Sequence, residues 1–218
     1  MELTELTATE AARLIANREL SSVELTRACL DRITARNPEV LAFRHLDPDF
    51  SLAEAAKADQ CSAKSPLHGV PFAVKDVIDT KDFPTECGTR IHAGRRPSAD
   101  ATCVSLMRDA GAVLLGKVVT TAYALFHPNE TRRPMVLERT HGGSSSGSGA
   151  AVCDRIVPIA FGNQTAGSLI RPAAFCGVYG LKPTHGTTDG TGILPLQLYF
   201  DTLGYMARSI ADIQAFYS

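Results

Sequence analysis

Two short loops rich in glycine and serine lie close together in the chain, and their residue types suit acyl-transfer chemistry. The first reads His141-Gly-Gly-Ser-Ser-Ser-Gly-Ser-Gly-Ala150, and the second Gly162-Asn-Gln-Thr-Ala-Gly-Ser168-Leu-Ile-Arg171-Pro172. Glycine has no Cβ, so backbone N–H groups in such loops can approach a substrate closely. The second loop leads into an expected helix start at Gly167-Ser168, where backbone donors point outward. Upstream, Lys75 stands in Phe72-Ala-Val-Lys-Asp-Val-Ile78. Hydroxyls, free amides and a lysine are the nucleophile, oxyanion donors and base of serine-dependent amide hydrolysis.

Each of these residues also has an ordinary reading. Strand alternation puts Ala73, Lys75 and Val77 on one face, so a charged group interrupts an apolar row. On an edge strand its ammonium would extend to water. Buried, it would lose solvation, its pKa would fall, and the amine would accept protons near neutral pH. Ser144, Ser145, Ser146 and Ser148 could belong to a flexible linker. Their tract is short, however, and bounded by Ala150-Ala-Val152 and a strand starting at Ile156, which suits a tight loop. Ser168 could serve only as a helix cap.

Two motif matches are set aside. Gly111-Ala-Val-Leu-Leu-Gly-Lys117-Val118 has valine where a phosphate-binding loop needs a hydroxyl, and it reads as an apolar strand. Gly143-Ser-Ser-Ser-Gly147 matches a nucleophile elbow, but His185 is the only later histidine and no strong strand precedes the motif.

The elements that must position these groups come from 218 residues, 44% hydrophobic and 21% charged, an ordinary globular composition able to bury a substantial core. A single domain, 1–218, is expected. With 22 Lys+Arg against 23 Asp+Glu, nothing attracts nucleic acid or an anionic membrane in general, and a small, locally recognised substrate fits better. Six cysteines without a CxxC pair support neither a zinc ribbon nor a disulfide framework, so reduced structural thiols are expected, with no metal or other cofactor. The acidic start Met1-Glu-Leu-Thr-Glu5 is unlike a signal peptide, and no apolar run reaches the roughly 20 residues that span a bilayer. A cytoplasmic protein is the expectation.

Thr7-Ala-Thr-Glu10 and Ser21-Ser-Val-Glu24 each match a capping box ahead of helical apolar spacing. They predict a helical hairpin whose second member presents Leu25, Cys29 and Ile33 and ends near Asn37-Pro38. A third helix is expected over 51–61, completing a helical part at 1–62. From 66 onward strand and helix alternate: β-rich 70–78, helix 101–110, strand 112–120, strand 156–161, helix 166–174 and strand 178–181. A capped helix begins at Ser209 and stops without a C-cap glycine or polar tail, so the chain is expected to be cut short.

Four segments, in this order, resemble the amidase-signature family: His68-Gly-Val-Pro-Phe-Ala-Val-Lys75-Asp76, Gly142-Gly-Ser144-Ser145-Ser-Gly147, Gly162-Asn-Gln-Thr-Ala-Gly-Ser168, and Pro172-Ala-Ala-Phe-Cys-Gly-Val-Tyr-Gly-Leu-Lys-Pro183. The resemblance implies an α/β fold, a mixed β-sheet flanked by helices with a helical N-terminal segment, here incomplete. It implies Ser168 as nucleophile, Ser144 as a bridging serine in a cis peptide, and Lys75 as terminal base. Thr165, Ala166, Gly167 and Ser168 correspond to the oxyanion loop, Ser145 to a supporting hydroxyl, and Gly143 and Gln164 to substrate-binding positions. Cys176 is expected to pack in the core.

Arg171 stands three residues after Ser168, an arrangement resembling a malonamidase-like branch that reads a substrate carboxylate, for which a guanidinium is suited. A surface ion pair is its ordinary alternative. The implied substrate is a small carboxylate-bearing amide. Departures from the family pattern are His141, often proline; Asp154-Arg155, often small; and Asn163, often a hydroxyl residue. Family members are longer, so two alternatives stand beside the hydrolase. One is a partner-dependent chain, homodimeric or completed by a complementary chain. The other is a member of the family's amidotransferase branch, which serves mischarged transfer RNA within a larger assembly.

Overall fold

The computed structural model describes residues 2–218. Both capping boxes form: Thr7 and Glu10 open α1 (Ala8–Ala16), and Ser21 and Glu24 open α2 (Ser22–Val40), each side chain taking the other's backbone N–H. Helix α2 runs past the expected stop at Asn37-Pro38. Pro38 sits in its last turn, and Leu41, left-handed at φ 54°, donates its N–H to Asn37 O. The Asn37 side chain then accepts from Ala42 and Phe43, both at 2.8 Å. That turn aims the chain into β1 (Phe43–Leu46), a strand the residue pattern did not announce. Helix α3 (Pro48–Asp59) begins earlier than residue 51 because Asp47 caps it and Pro48 fills its first turn, a favoured pairing of cap and proline.

The remaining elements are β2 (Pro71–Lys75), α4 (Thr102–Asp109), β3 (Val113–Val118), α5 (Ser146–Cys153), β4 (Ile159–Gln164), α6 (Ile170–Cys176), β5 (Tyr179–Leu181), β6 (Thr202–Ala207) and α7 (Ile210–Tyr217). Six strands form one sheet in the order β1-β3-β2-β4-β6-β5. Strand β2 is parallel to both β3 and β4, while β1, β6 and β5 join antiparallel, giving the expected mixed α/β sheet flanked by helices. Every residue of β2, β3, β4 and β6 is buried.

Two boundaries move for local reasons. The strand expected at 156–161 starts at Ile159, because Ile156 donates back to Ala151 O and closes the turn after α5. The helix expected over 166–174 starts at Ile170, because residues 165–169 form a separate loop.

The first Gly/Ser tract is not loop throughout: from Ser146 it is helix α5, packed against the ends of the central strands. A Cβ on Gly147 would collide with Ala42 O and Val119 N, while Gly147 N–H itself donates to Val119 O at 2.9 Å. Ser146 and Ser148 send their hydroxyls to Val119 O and Phe161 O at 3.1 and 2.9 Å. Small residues therefore allow close approach, and the hydroxyls satisfy carbonyls that the approach buries. Likewise, Gly162 on β4 pairs with Gly204 on β6, and the buried Leu169 side chain lies over both where Cβ atoms would stand.

Gly147→Ala is expected to cost about 1–3 kcal/mol through overpacking against backbone. Gly190→Ala, where nothing lies within 4 Å of the added carbon, should stay within about 0.5 kcal/mol of wild type. Urea-denaturation midpoints of the two variants make the comparison.

Candidate active site

Lys75 ends β2 in the middle of the sheet, between β3 and β4, so the edge-strand reading of this lysine fails. It is fully buried, 0% exposed. Its Nζ lies 2.7 Å from Ser144 Oγ and 2.6 Å from Asn163 Oδ1, with Asn163 O at 3.5 Å. Loss of solvation holds its pKa well below the ordinary 10.5, opposed only in part by the Asp201 carboxylate. A buried lysine of this kind favours the neutral amine, which is a proton acceptor.

Ser144 is also fully buried and follows a cis Gly143–Ser144 peptide. The carbonyls on either side are held. Gly143 O accepts from Arg171 Nε at 3.0 Å and Nη2 at 2.7 Å. Ser144 O accepts from Thr121 N and Thr120 Oγ1, each at 3.2 Å. Arg171 therefore reaches back from α6 to the first loop, its guanidinium 5.8 Å from the Phe126 ring centre. Among the described residues it makes no salt bridge, so the surface ion-pair reading is not met.

Ser168 does not cap α6: the position before that helix is Leu169, without a side-chain cap bond. Gln164 does that work, its Oε1 accepting from Leu169 and Ile170 N–H at 3.0 Å each, so this oxygen is committed to the loop itself. Among the described residues the four preceding amides, Thr165, Ala166, Gly167 and Ser168, donate to no protein acceptor. Ala166 is exposed and Thr165 and Gly167 are half-buried, so these N–H groups are open to water or to a ligand oxygen. Ser168 is 8% exposed, its carbonyl takes Ser145 N–H at 3.0 Å, and its hydroxyl makes no hydrogen bond to Ser144 Oγ. Ser145 Oγ donates to Asn163 O at 3.2 Å.

The first loop, the second loop and Lys75 thus converge. The residue pattern did not single out Asn163 as a contact of Lys75, although it stood out as an unusual residue in the second loop. Nor did it single out Asp201, whose carboxylate takes the Thr165 hydroxyl and the Leu196 and Gln197 amides, the latter two at 2.7 and 2.8 Å. An Asp shortly before a strand carried no distinguishing signal. Cys176 packs in the core as expected, 1% exposed, with burial pushing its thiol up to about 12. Burial holds His141 neutral, lowering it to about 4. The exposed His185 faces Asp201 O, while Ser145, at the centre of the elbow-like pattern, bonds to backbone. A second buried lysine, Lys117, lowered to about 8 by desolvation, donates to Ile78 O and Thr85 Oγ1 at 2.6 Å and lies 3.7 Å from Asp76.

A buried lysine thus sits against a serine, beside a loop of free amides that carries a second serine, on a mixed α/β sheet. Residues 24–218 match the family described as Amidase, and the chain belongs to it. It is 43% identical over 222 residues to a glutamyl-tRNA(Gln) amidotransferase subunit of Chloroflexus aurantiacus, covering 97% of this chain and 46% of that relative. It is similar in structure to the peptide amidase of Stenotrophomonas maltophilia, with TM-score 0.92, 38% identity and coverage of 98% of this chain and 47% of the other. A chain from a vestigial protein complex bearing on the origins of an s-triazine catabolic enzyme gives TM-score 0.93, 34% identity and coverage of 97% and 49%. The chain spans about half the length of the curated relatives it matches. No helix among the described residues is long and apolar enough to cross a membrane.

Because the Lys75 pKa falls on folding, the unfolded chain binds the extra proton, and stability attributable to this group rises with pH up to the ordinary value of 10.5. Lys75→Met should therefore gain on wild type as pH falls from 10.5 toward 7, by about 1.4 kcal/mol for each pH unit over which the native amine stays neutral. Denaturation of both proteins across that range reads the difference, in which the Lys117 contribution cancels.

Proposed function

We propose that this site cleaves a small amide through an acyl-enzyme. Neutral Lys75 takes the Ser144 proton as Ser144 takes that of Ser168, and Ser168 Oγ adds to the amide carbonyl. The developing oxyanion is received by the amides of Thr165 to Ser168, where the loss of one donor typically costs about 3–4 kcal/mol of transition-state stabilisation. The relay returns the proton to the departing amine, and water, activated in the same way, releases the acid. The observation that carries this reading is the 2.7 Å contact between a fully buried Lys75 and Ser144. The Ser144 to Ser168 hydrogen bond forms in this reading when the amide is bound, since catalytic hydrogen bonds often tighten only in the substrate complex. Ser145 supports the relay by fixing the backbone of Asn163 and Ser168.

The substrate in this reading is a small amide that bears a carboxylate. In this reading Arg171 meets it with the guanidinium edge not turned to Gly143 O, and Gly143 and Gln164 are further substrate contacts. A second reading is that the chain acts only with a complementary chain or second copy, as one component of an amidotransferase does. Its support is the shared half of relatives with that name, and the exposed side chains of Leu198, Tyr199 and Phe200 beside Asp201, at 73%, 81% and 61%.

A serine-directed fluorophosphonate should label the purified chain at Ser168, and labelling should fall at least about a hundredfold in Ser168→Ala and Lys75→Ala, in line with the loss of a nucleophile or base. A folded wild-type chain that takes no label favours the partner-dependent reading. Arg171→Ala should lower kcat/KM for an anionic amide about tenfold to a hundredfold more than for its neutral match, the value of one charged hydrogen-bonded contact. Equal loss for both substrates would assign Arg171 to holding Gly143 O alone.

A further inference from the structure

We propose that Asn163 is the positioning residue that sets the direction of the Lys75 to Ser144 hydrogen bond. The inference rests on Lys75 being the base, and it follows from which atoms can only accept. Three oxygens lie within reach of the buried Nζ: Asn163 Oδ1 at 2.6 Å, Asn163 O at 3.5 Å and Ser144 Oγ at 2.7 Å. The two asparagine oxygens are carbonyls and have no hydrogen to give. A neutral amine has two hydrogens and one lone pair; both hydrogens go to Asn163. The lone pair is left facing Ser144, the one neighbour able to donate, and that is the polarity proton abstraction requires.

The residue type matters. Asn163 is 2% exposed, so its carboxamide oxygen is largely shielded from bulk water. A hydroxyl at this place could donate to the amine and consume the lone pair, leaving the direction unset. A carboxylate would set it wrongly, by retaining the third proton on the lysine. The charge that does act on Lys75 is Asp201, from the segment ahead of β6. Asp76, next along from β2, instead faces Lys117 of β3 at 3.7 Å. Asparagine thus supplies an oxygen without adding a second negative charge.

The test uses the chain with ¹³Cε-labelled lysine, the Lys75 signal being assigned by its absence in Lys75→Met. Titration of wild type, Asn163→Asp and Asn163→Leu is run beside fluorophosphonate labelling of Ser168. Asn163→Asp should raise the Lys75 midpoint by about one pH unit or more, as an adjacent carboxylate does. The acid limb of the labelling rate should move upward by the same interval. Asn163→Leu should slow labelling at least about tenfold at every pH without raising the midpoint, since it removes the orienting oxygen and adds no charge. If Asn163→Asp leaves the midpoint within about 0.3 unit of wild type, or Asn163→Leu labels at the wild-type rate, the assignment is overturned. A folded wild-type chain that takes no label, while its Lys75 midpoint still rises in Asn163→Asp, supports the contact and favours the partner-dependent reading of the site.

Discussion

The structure is organised around an amine that has no access to water. Stripping solvent from an ammonium is too costly to leave uncompensated, so a lysine in the middle strand of a sheet must either meet a counter-charge or give up its proton. Lys117 follows the first course in part, with Asp76 close by. Lys75 has neutral oxygens as its direct partners, and only the more distant field of Asp201 favours the charged form. Two lysines on neighbouring strands, both wholly buried, therefore come to different ends: one is a structural donor to Ile78 O and Thr85, the other, in the proposed function, a base.

For that base to work, the parts facing it must be fixed to within a fraction of an ångström, and they come from separate stretches of chain. Arg171 and the Thr120-Thr121 pair hold the carbonyls around Ser144. Gln164 takes the two amides after Ser168 and so leaves the four before them free. Leu169 seats the loop over a pair of facing glycines, and Asp201 ties Thr165 to the segment carrying Leu196 and Gln197. The glycines that give the two loops their composition are needed where backbone meets backbone or side chain, as at Gly147 and Gly162. Flexibility is not their purpose there.

What could be read directly from the residues was local. The capping boxes at Thr7 and Ser21, the strand around Lys75 and the helix from Ser209 depend on neighbours a few positions away. The family resemblance brought Lys75, Ser144 and Ser168 into view as one set, and the fold does bring their loops together. Strand order was beyond local reading, because whether β2 is an edge or the centre depends on β3 and β4, far along the chain. Strand β6 was hidden by the glycine of Thr-Leu-Gly-Tyr-Met-Ala, a residue that weakens a strand in isolation but here makes room for Leu169. Helix α5 was hidden in the same way by its Gly/Ser composition, and Asn163 and Asp201 act through contacts that no spacing rule records.

The protonation of Lys75 in the wild-type chain decides the central claim. Neutron diffraction from deuterium-exchanged crystals near neutral pD would count the deuterons on Nζ and locate the one between Lys75 and Ser144. Two deuterons on Nζ, both toward the oxygens of Asn163, with the Ser144 deuteron on Oγ and pointing to nitrogen, is the predicted result. Three deuterons on Nζ, one of them directed at Ser144 Oγ, would contradict the account.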